Sequence, residues 1–269
     1  MTKVEDIFSL KNKVVILTGS AGKLGWQFSH ILSAAGANVV LVDLQNEKNK
    51  RLEKILRDKF HTKPTSLTLD ISNIDDVKKL VSHTIKKYKK IDILINNAHL
   101  SSRSHKLRDN KFEEYPIELW DILVTKNLLG IFLCSREIGN LMSKQNNGNI
   151  INISSIYGLV GPNQKIYGKS RLNSPVSYSV NKGGVVNLTR YLASYWSDKK
   201  IRVNTLTLGG VLDQKTHSKT FVKNYSEKTI IGRMADIHDY DGAILFLSSD
   251  ASSYMTGSNL IVDGGWTAW

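Results

Sequence analysis

"KVVILTGSAGKLGWQF", residues 13–28, runs from a block of β-branched and apolar residues through three glycines into a segment with helical spacing. Every position from Val14 to Leu17 is apolar, so the block has no polar face. It reads as a strand buried on both sides, as parallel sheets require. Gly19, Gly22 and Gly25 permit a tight turn, a close approach of backbone to a pyrophosphate, and close packing of helix on strand. Ser20, Lys23 and Leu24 complete the turn. The helix that follows offers free N–H groups and the positive end of its dipole. A lone glycine cluster can serve the fold alone. After the first strand of an α/β alternation, it points to a dinucleotide.

Outward from this stretch the pattern repeats. Short apolar runs stand at 13–18, 38–43, 66–70, 91–96, 149–154, 201–206 and 259–263. Helical spacing occupies 24–35, 46–59, 74–88, 117–143, 178–196 and 238–248. Strand and helix alternating throughout predict an α/β fold: one doubly wound parallel sheet of about seven strands, with helices on both faces. No Pro-rich or Gly/Ser-rich linker and no repeat divides residues 1–269, which read as one domain. Residues 1–150 form its cofactor half and 151–269 its catalytic and substrate half. Ligands should bind at the carboxyl ends of the strands. Asp43 ends the second strand run, 24 residues after Gly19. A carboxylate there accepts hydrogen bonds from the adenosine ribose and repels a 2′-phosphate, which favours NAD over NADP; Lys23 is the dissenting charge.

Composition narrows the alternatives. With 41% hydrophobic residues, the 269-residue chain can bury a large core. The N-terminus carries no signal-like apolar run, and no apolar stretch nears the roughly 18 residues of a membrane span. The single Cys134 sits in an apolar helical run as a small core residue. A cytoplasmic protein with no membrane partner is the simplest reading. The net charge of +13 would suit a nucleic-acid binder. Its lysines, however, are dispersed over polar helix faces with acids interleaved, so no nucleic-acid partner is expected. The seven histidines lack metal-ligand spacing, and no metal is expected.

The stretch "SSIYGLVGPNQKIYGKSRLNSPVSYSVNK", residues 154–182, holds three tyrosines. A phenol works as an acid or base only beside a cation, and on a helix residues i and i+4 share a face. Tyr157 has Gly161 at that spacing. Tyr167 has Arg171, but within a poor helix. Tyr178 has Lys182, at the start of a long apolar-striped segment. A nearby ammonium lowers a phenol's pKa toward the working pH. Tyr178 is the candidate acid–base, with Tyr157 and Tyr167 as packing or substrate contacts.

"TGSAGKLG", "LD" at 69–70, "NNAH" at 96–99, Asn127 seven residues after Trp120, "NISS", "YSVNK", "IRVNTLTLGG" and "SDASSYMTGSNLIVDGG" follow one another in the order of the short-chain dehydrogenase/reductase family, which the whole chain resembles. Within that family it is most similar to the branch associated with flagellin modification and nonulosonic (sialic-like) acid biosynthesis. The resemblance implies a Rossmann domain and roles for particular residues. Lys182 would also bond the nicotinamide ribose, Ser155 would hold the substrate oxygen, with Ser154 the alternative, and Asn127 would keep a water in the proton relay. Asp70, Ile71, Asn97, Ala98, Gly209 and Val211 would join the glycine turn, Tyr178 and Lys182 in holding the cofactor. Three departures stand out. The glycine spacing TGxxGxxG matches the longer sugar-nucleotide epimerase members. Leu208 replaces a usual proline. His99 replaces a usual glycine, which makes the substrate mouth narrower or more polar.

Ser155 and Tyr178 are 23 residues apart, about ten more than in compact members of the family. The added piece carries Lys165, Lys169 and Arg171; the stretch 99–112 carries Arg103, Lys106, Arg108 and Lys111 against Asp109. Both should lie where substrate enters, and such basic loops suit an anionic small molecule such as an acidic or nucleotide-activated sugar. His99, Arg103, Tyr157 and Arg171 are the candidate substrate residues. The leading reading is an NAD(P)-dependent oxidoreductase acting on a secondary alcohol or ketone. The alternatives are a non-redox epimerase or dehydratase with tightly bound NAD, and a non-catalytic module that senses cofactor ratio. The segments 117–143 and 178–196, the latter with Gly183 and Gly184, match the family's interface helices. With Trp266 and Trp269 expected exposed at the C-terminus, they predict a homodimer or homotetramer.

Overall fold

The computed structural model describes residues 3–101, 111–170 and 172–269. Its strands are β1 (Val14–Thr18), β2 (Asn38–Asp43), β3 (Thr65–Thr68), β4 (Ile93–Asn96), β5 (Gly148–Ser155), β6 (Ile201–Leu208) and β7 (Asn259–Val262). They form one sheet in the order β3-β2-β1-β4-β5-β6-β7. Every pairing is parallel. The helices are α1 (Val4–Phe8), α2 (Lys23–Ala34), α3 (Asn46–Phe60), α4 (Ile74–Tyr88), α5 (Ile117–Gln145), α6 (Val176–Tyr195), α7 (Lys219–Ser226) and α8 (Asp241–Ser248). This is a single Rossmann-like α/β domain.

Side chains alternate across a strand, so an all-apolar strand feeds two cores at once. Val15 and Leu17 join a cluster with Phe28 and Leu32 of α2, Leu52 and Leu56 of α3, and Ile244 and Leu247 of α8. Val14 and Ile16 point the other way, to Val77 and Leu80 of α4, Ile138 and Met142 of α5, and Leu192 of α6. Helices therefore cover both faces. Strand order reverses between β1 and β4, which opens a crevice at their carboxyl ends.

A buried polar chain fixes α6 to the sheet. The Asn96 amide donates to Asn152 Oδ1 (2.8 Å) and to Ser135 Oγ of α5 (3.2 Å). The Asn152 amide and the Thr205 hydroxyl donate to Thr189 Oγ1 of α6, at 2.9 and 2.7 Å. Breaking such a network would strand polar groups in a dry core, so α6 is held in one register.

Several elements differ from the sequence reading. Helix α7 and the short α1 have no counterpart in it. The segment 238–248 begins as a 3-10 turn over Ile237–Tyr240 before α8. Helix α6 starts two residues earlier than expected, after Pro175, whose fixed φ suits a helix entrance. Trp266 is not exposed: only 8% of it meets solvent, and it stacks on Tyr225 with centroids 4.3 Å apart. Trp269 is 75% exposed. Gly183 and Gly184 face Gly158 and Leu128 of the same chain. Both glycines stay half-buried.

Candidate active site

The glycine turn closes β1 onto α2 under tight constraints. Gly19 has φ +67°, and a Cβ there would stand 2.7 Å from Ala98 Cα. A Cβ on Gly25 would overlap the Gly19 carbonyl. Thr18 and Asn97 brace the turn from below. Thr18 Oγ1 accepts from the backbone N–H groups of Asn97 and Ala98, both at 3.0 Å. The Asn97 amide donates to the carbonyls of Thr18 and Gly19. Gly22 caps α2 without a side-chain bond, so the first N–H groups, at Lys23, Leu24 and Gly25, face the crevice with no capping acceptor. A phosphate suits such an end. This cradle fits the pyrophosphate of a dinucleotide.

Asp43 sits at the end of β2, where its carboxylate accepts from Ala21 N at 3.0 Å and Gln45 N at 2.9 Å. Ser20 donates to Asn49 of α3 at 2.7 Å. Past β3, Asp70 accepts from Ser72, and Ile71 fills the space that Gly130 leaves on α5. Across the crevice, Gly209 and Val211 follow β6, with Tyr240 donating to the Gly209 carbonyl at 2.9 Å. Lys23 spans the two sides: its ammonium donates to the Leu212 carbonyl at 2.6 Å.

The catalytic candidates lie beside this crevice. Lys182 is buried, and its Nζ donates to the Ile153 carbonyl at 2.9 Å while standing 5.8 Å from the centre of the Tyr178 ring. Burial pushes the Lys182 pKa down to about 8. The paired serines divide. Ser154 is buried and donates to the Lys182 carbonyl at 2.9 Å, which ties β5 to α6. Ser155 ends β5, and its hydroxyl accepts only the Tyr157 N–H among described residues, at 3.3 Å. Ser155 is therefore the serine with a hydroxyl proton still to give. Asn127 is buried on α5 and its side chain bonds the backbone. Its carbonyl oxygen accepts from Leu100 N at 2.6 Å, and its amide donates to the carbonyls of Leu100 and Leu123.

Rings surround the Tyr178 phenol. His99 stands edge-on to it with centroids 5.1 Å apart, and Tyr157 likewise at 6.4 Å. Burial, reinforced by Tyr167, drives the Tyr157 pKa well above the ordinary phenol range. Tyr225 is driven up by burial too, and its oxygen accepts from Gly210 N at 2.6 Å. Tyr167 stacks on Phe221 of α7, Ile166 is buried, and Asn224 of α7 donates to the Ile166 carbonyl. The added piece is thus anchored to α7 as one wall of the site. Lys165 and Lys169 are exposed on it. Arg171, Arg103, Lys106 and Arg108 lie outside the described residues, so the basic rim is not assembled here.

Sequence reasoning missed Thr18, Gly158 and Tyr225, and it weighed Ser154 only as an alternative to Ser155, not as the tie between β5 and α6. Each acts through backbone contacts far away in sequence, and only the doubled serine and the residue before Gly19 gave any hint. Among the described residues no group of three or more His, Cys, Asp or Glu could hold a metal ion. None of the described helices is long and apolar enough to cross a membrane.

A sheet switch point, a glycine cradle and a Tyr–Lys pair beside it define a nicotinamide-dependent oxidoreductase of the Rossmann class. A family model described as Enoyl-(Acyl carrier protein) reductase matches residues 19–267. The chain belongs to the short-chain dehydrogenase/reductase family and is an NAD(P)-dependent enzyme of it. It is 31% identical to the post-translational flagellin modification protein A of Campylobacter coli, over 96% of this chain and 99% of that one. It is similar in structure to a gluconate 5-dehydrogenase from Burkholderia cenocepacia in complex with NADP and tartrate. That match has a TM-score of 0.88 and 26% identity, over 99% of this chain and 100% of the other. A short-chain dehydrogenase from Leptospira borgpetersenii with bound NAD+ matches at TM-score 0.83 and 32% identity, covering 99% and 96%.

Proposed function

We propose that this enzyme interconverts a secondary alcohol and a ketone on a sugar, an anionic or nucleotide-activated one used in surface-glycan (nonulosonic acid) biosynthesis in the cytoplasm. One observation carries the chemistry: the buried Lys182 ammonium beneath the Tyr178 ring, with Ser154 tied to its backbone and Ser155 left over. The bound nicotinamide supplies the hydride acceptor or donor. Tyr178 takes the hydroxyl proton in oxidation and returns it to the carbonyl oxygen in reduction. Ser155 donates to that oxygen as charge develops on it. Lys182 holds positive charge beside the phenol and would also bond the nicotinamide ribose. Asp43 favours NAD over NADP. Support for a sugar comes from the flagellin-modification relative and the gluconate dehydrogenase likeness, and from aromatic walls that suit the apolar face of a sugar ring. Exposed Phe132 on α5, and Val180, Tyr191 and Tyr195 on α6, favour a homodimer or homotetramer, to be checked by light scattering against the 30.2 kDa chain.

The test is a panel of sugar phosphates, nucleotide sugars and sugar acids with NAD or NADP, followed by stoichiometric reduced-cofactor formation. Tyr178→Phe should lower turnover by at least ~100-fold while cofactor still binds. Product without net reduced cofactor would instead establish the epimerase or dehydratase reading.

A further inference from the structure

The loop after β4 places His99 where the usual family residue has no side chain, and it is clamped on both flanks. Ala98 N donates to Thr18 Oγ1, and Leu100 is held through both its N–H and its carbonyl by Asn127. These bonds hold the backbone on either side of His99 where its ring meets Tyr178. Its ring meets the phenol edge-on at 5.1 Å, with planes at 80°. Neither ring nitrogen has a hydrogen-bond partner among the described residues, although both stand in a half-buried position. Burial first, and the Lys182 charge second, push its pKa down to about 3. The imidazole is thus neutral at any working pH and a poor carrier of protons.

A neutral imidazole offers one N–H donor and one lone pair. That pair of functions matches a hydroxyl, which both donates and accepts, and matches a phosphate or carboxylate poorly. The phenol that exchanges the proton fixes where the reacting oxygen sits, so a group beside the phenol meets the neighbouring carbon. We propose that His99 is a specificity-determining residue that hydrogen-bonds a hydroxyl on the carbon next to the reacting one. The enzyme then selects α-hydroxy ketones in reduction and vicinal diols in oxidation, the unit that sugars and polyols repeat. This rests on the oxidoreductase reading with Tyr178 as the proton-exchanging group. The acidic or phosphorylated part of a sugar substrate would lie away from His99.

The test compares 2-hydroxycyclohexanone with cyclohexanone as ketones for the full chain, with reduced cofactor saturating. His99→Phe keeps a flat ring against Tyr178 and removes both nitrogens; His99→Asn restores one donor and one acceptor. The wild type should prefer the hydroxy ketone in kcat/KM. In His99→Phe that preference should fall about tenfold or more, chiefly through KM, because a site that hydrogen-bonds a substrate hydroxyl rejects the analogue lacking it. His99→Asn should recover part of it. If His99→Phe does not fold, as judged by Tm, His99→Ala serves for the same ratio. An unchanged ratio in the nitrogen-free variant overturns the proposal and leaves the oxidoreductase reading standing. Wild-type turnover of cyclohexanone with no gain from the 2-hydroxyl does the same. Turnover of neither ketone and of no member of the sugar panel, with either cofactor, overturns the reading itself.

Discussion

Replacing Gly158 by alanine adds one methyl group and removes no functional group, yet it should cripple the enzyme. A Cβ at Gly158 would lie 2.6 Å from both the carbonyl carbon and oxygen of Lys182 and 2.8 Å from Ser154 Oγ. Carbon contacts are comfortable at about 3.5–4.0 Å, so something must move by about 1 Å. The atoms in the way are the backbone of α6 at Lys182 and the Ser154 hydroxyl that anchors it. Neither is the free end of a flexible side chain. Overpacking of this kind costs about 1–3 kcal/mol. In a chain of this size each kcal/mol lowers Tm by about 2–4 °C. A displacement of about 1 Å at reacting groups costs about 10²-fold in rate. Gly161 is the control, since a Cβ there meets nothing within 4 Å. The assay is ketone reduction followed by cofactor oxidation, with Tm measured on the same preparations. Gly158→Ala should lose about 10²-fold in kcat and several degrees in Tm, and Gly161→Ala neither. Wild-type kcat and Tm in Gly158→Ala would refute the packing of this turn against α6.

Ser155→Ala should lower kcat by about 10²–10³-fold, as loss of an oxyanion donor does, whereas Ser154→Ala should chiefly cost about 1 kcal/mol of stability; the reverse order would exchange their roles. Lys182 carries its charge below pH 8 and loses it as pH rises through about 8, because burial lowers its pKa. The kcat/KM of ketone reduction should therefore decline above that pH, and Lys182→Arg, whose charge persists, should move the decline upward at a lower overall rate; an unmoved limb would exclude Lys182 as the titrating group. Asp43→Ser should narrow the gap between Kd for NAD(H) and for NADP(H) by about tenfold, equivalent to about 1.4 kcal/mol, and a wild-type preference for NADP would refute the repulsion argument.

Most of the fold was legible because its signals are local. Apolar β-branched runs without a polar face, such as 14–17 and 39–42, read as strands buried on both faces, and seven short apolar-rich runs separated by helical spacing point to a doubly wound sheet. The Tyr178–Lys182 pair was legible for the same reason: four residues along a helix fix a shared face whatever surrounds it. The choice between Ser154 and Ser155 was not, because both end the same strand and only the position of α6 decides which hydroxyl is tied to a carbonyl. Helix α7 escaped notice because Lys219–Ser226 is short and polar, and its apolar side, Phe221 and Tyr225, is defined by the Tyr167 and Trp266 rings it meets. Trp266 looked like surface at the chain's end and is core, since Tyr225, 41 residues earlier, comes round to cover it. Sequence settles what depends on period and neighbour. Which face a loop residue such as His99 finds, and whether its nitrogens meet a partner there, depends on segments brought together from across the chain, and only the tertiary structure decides that.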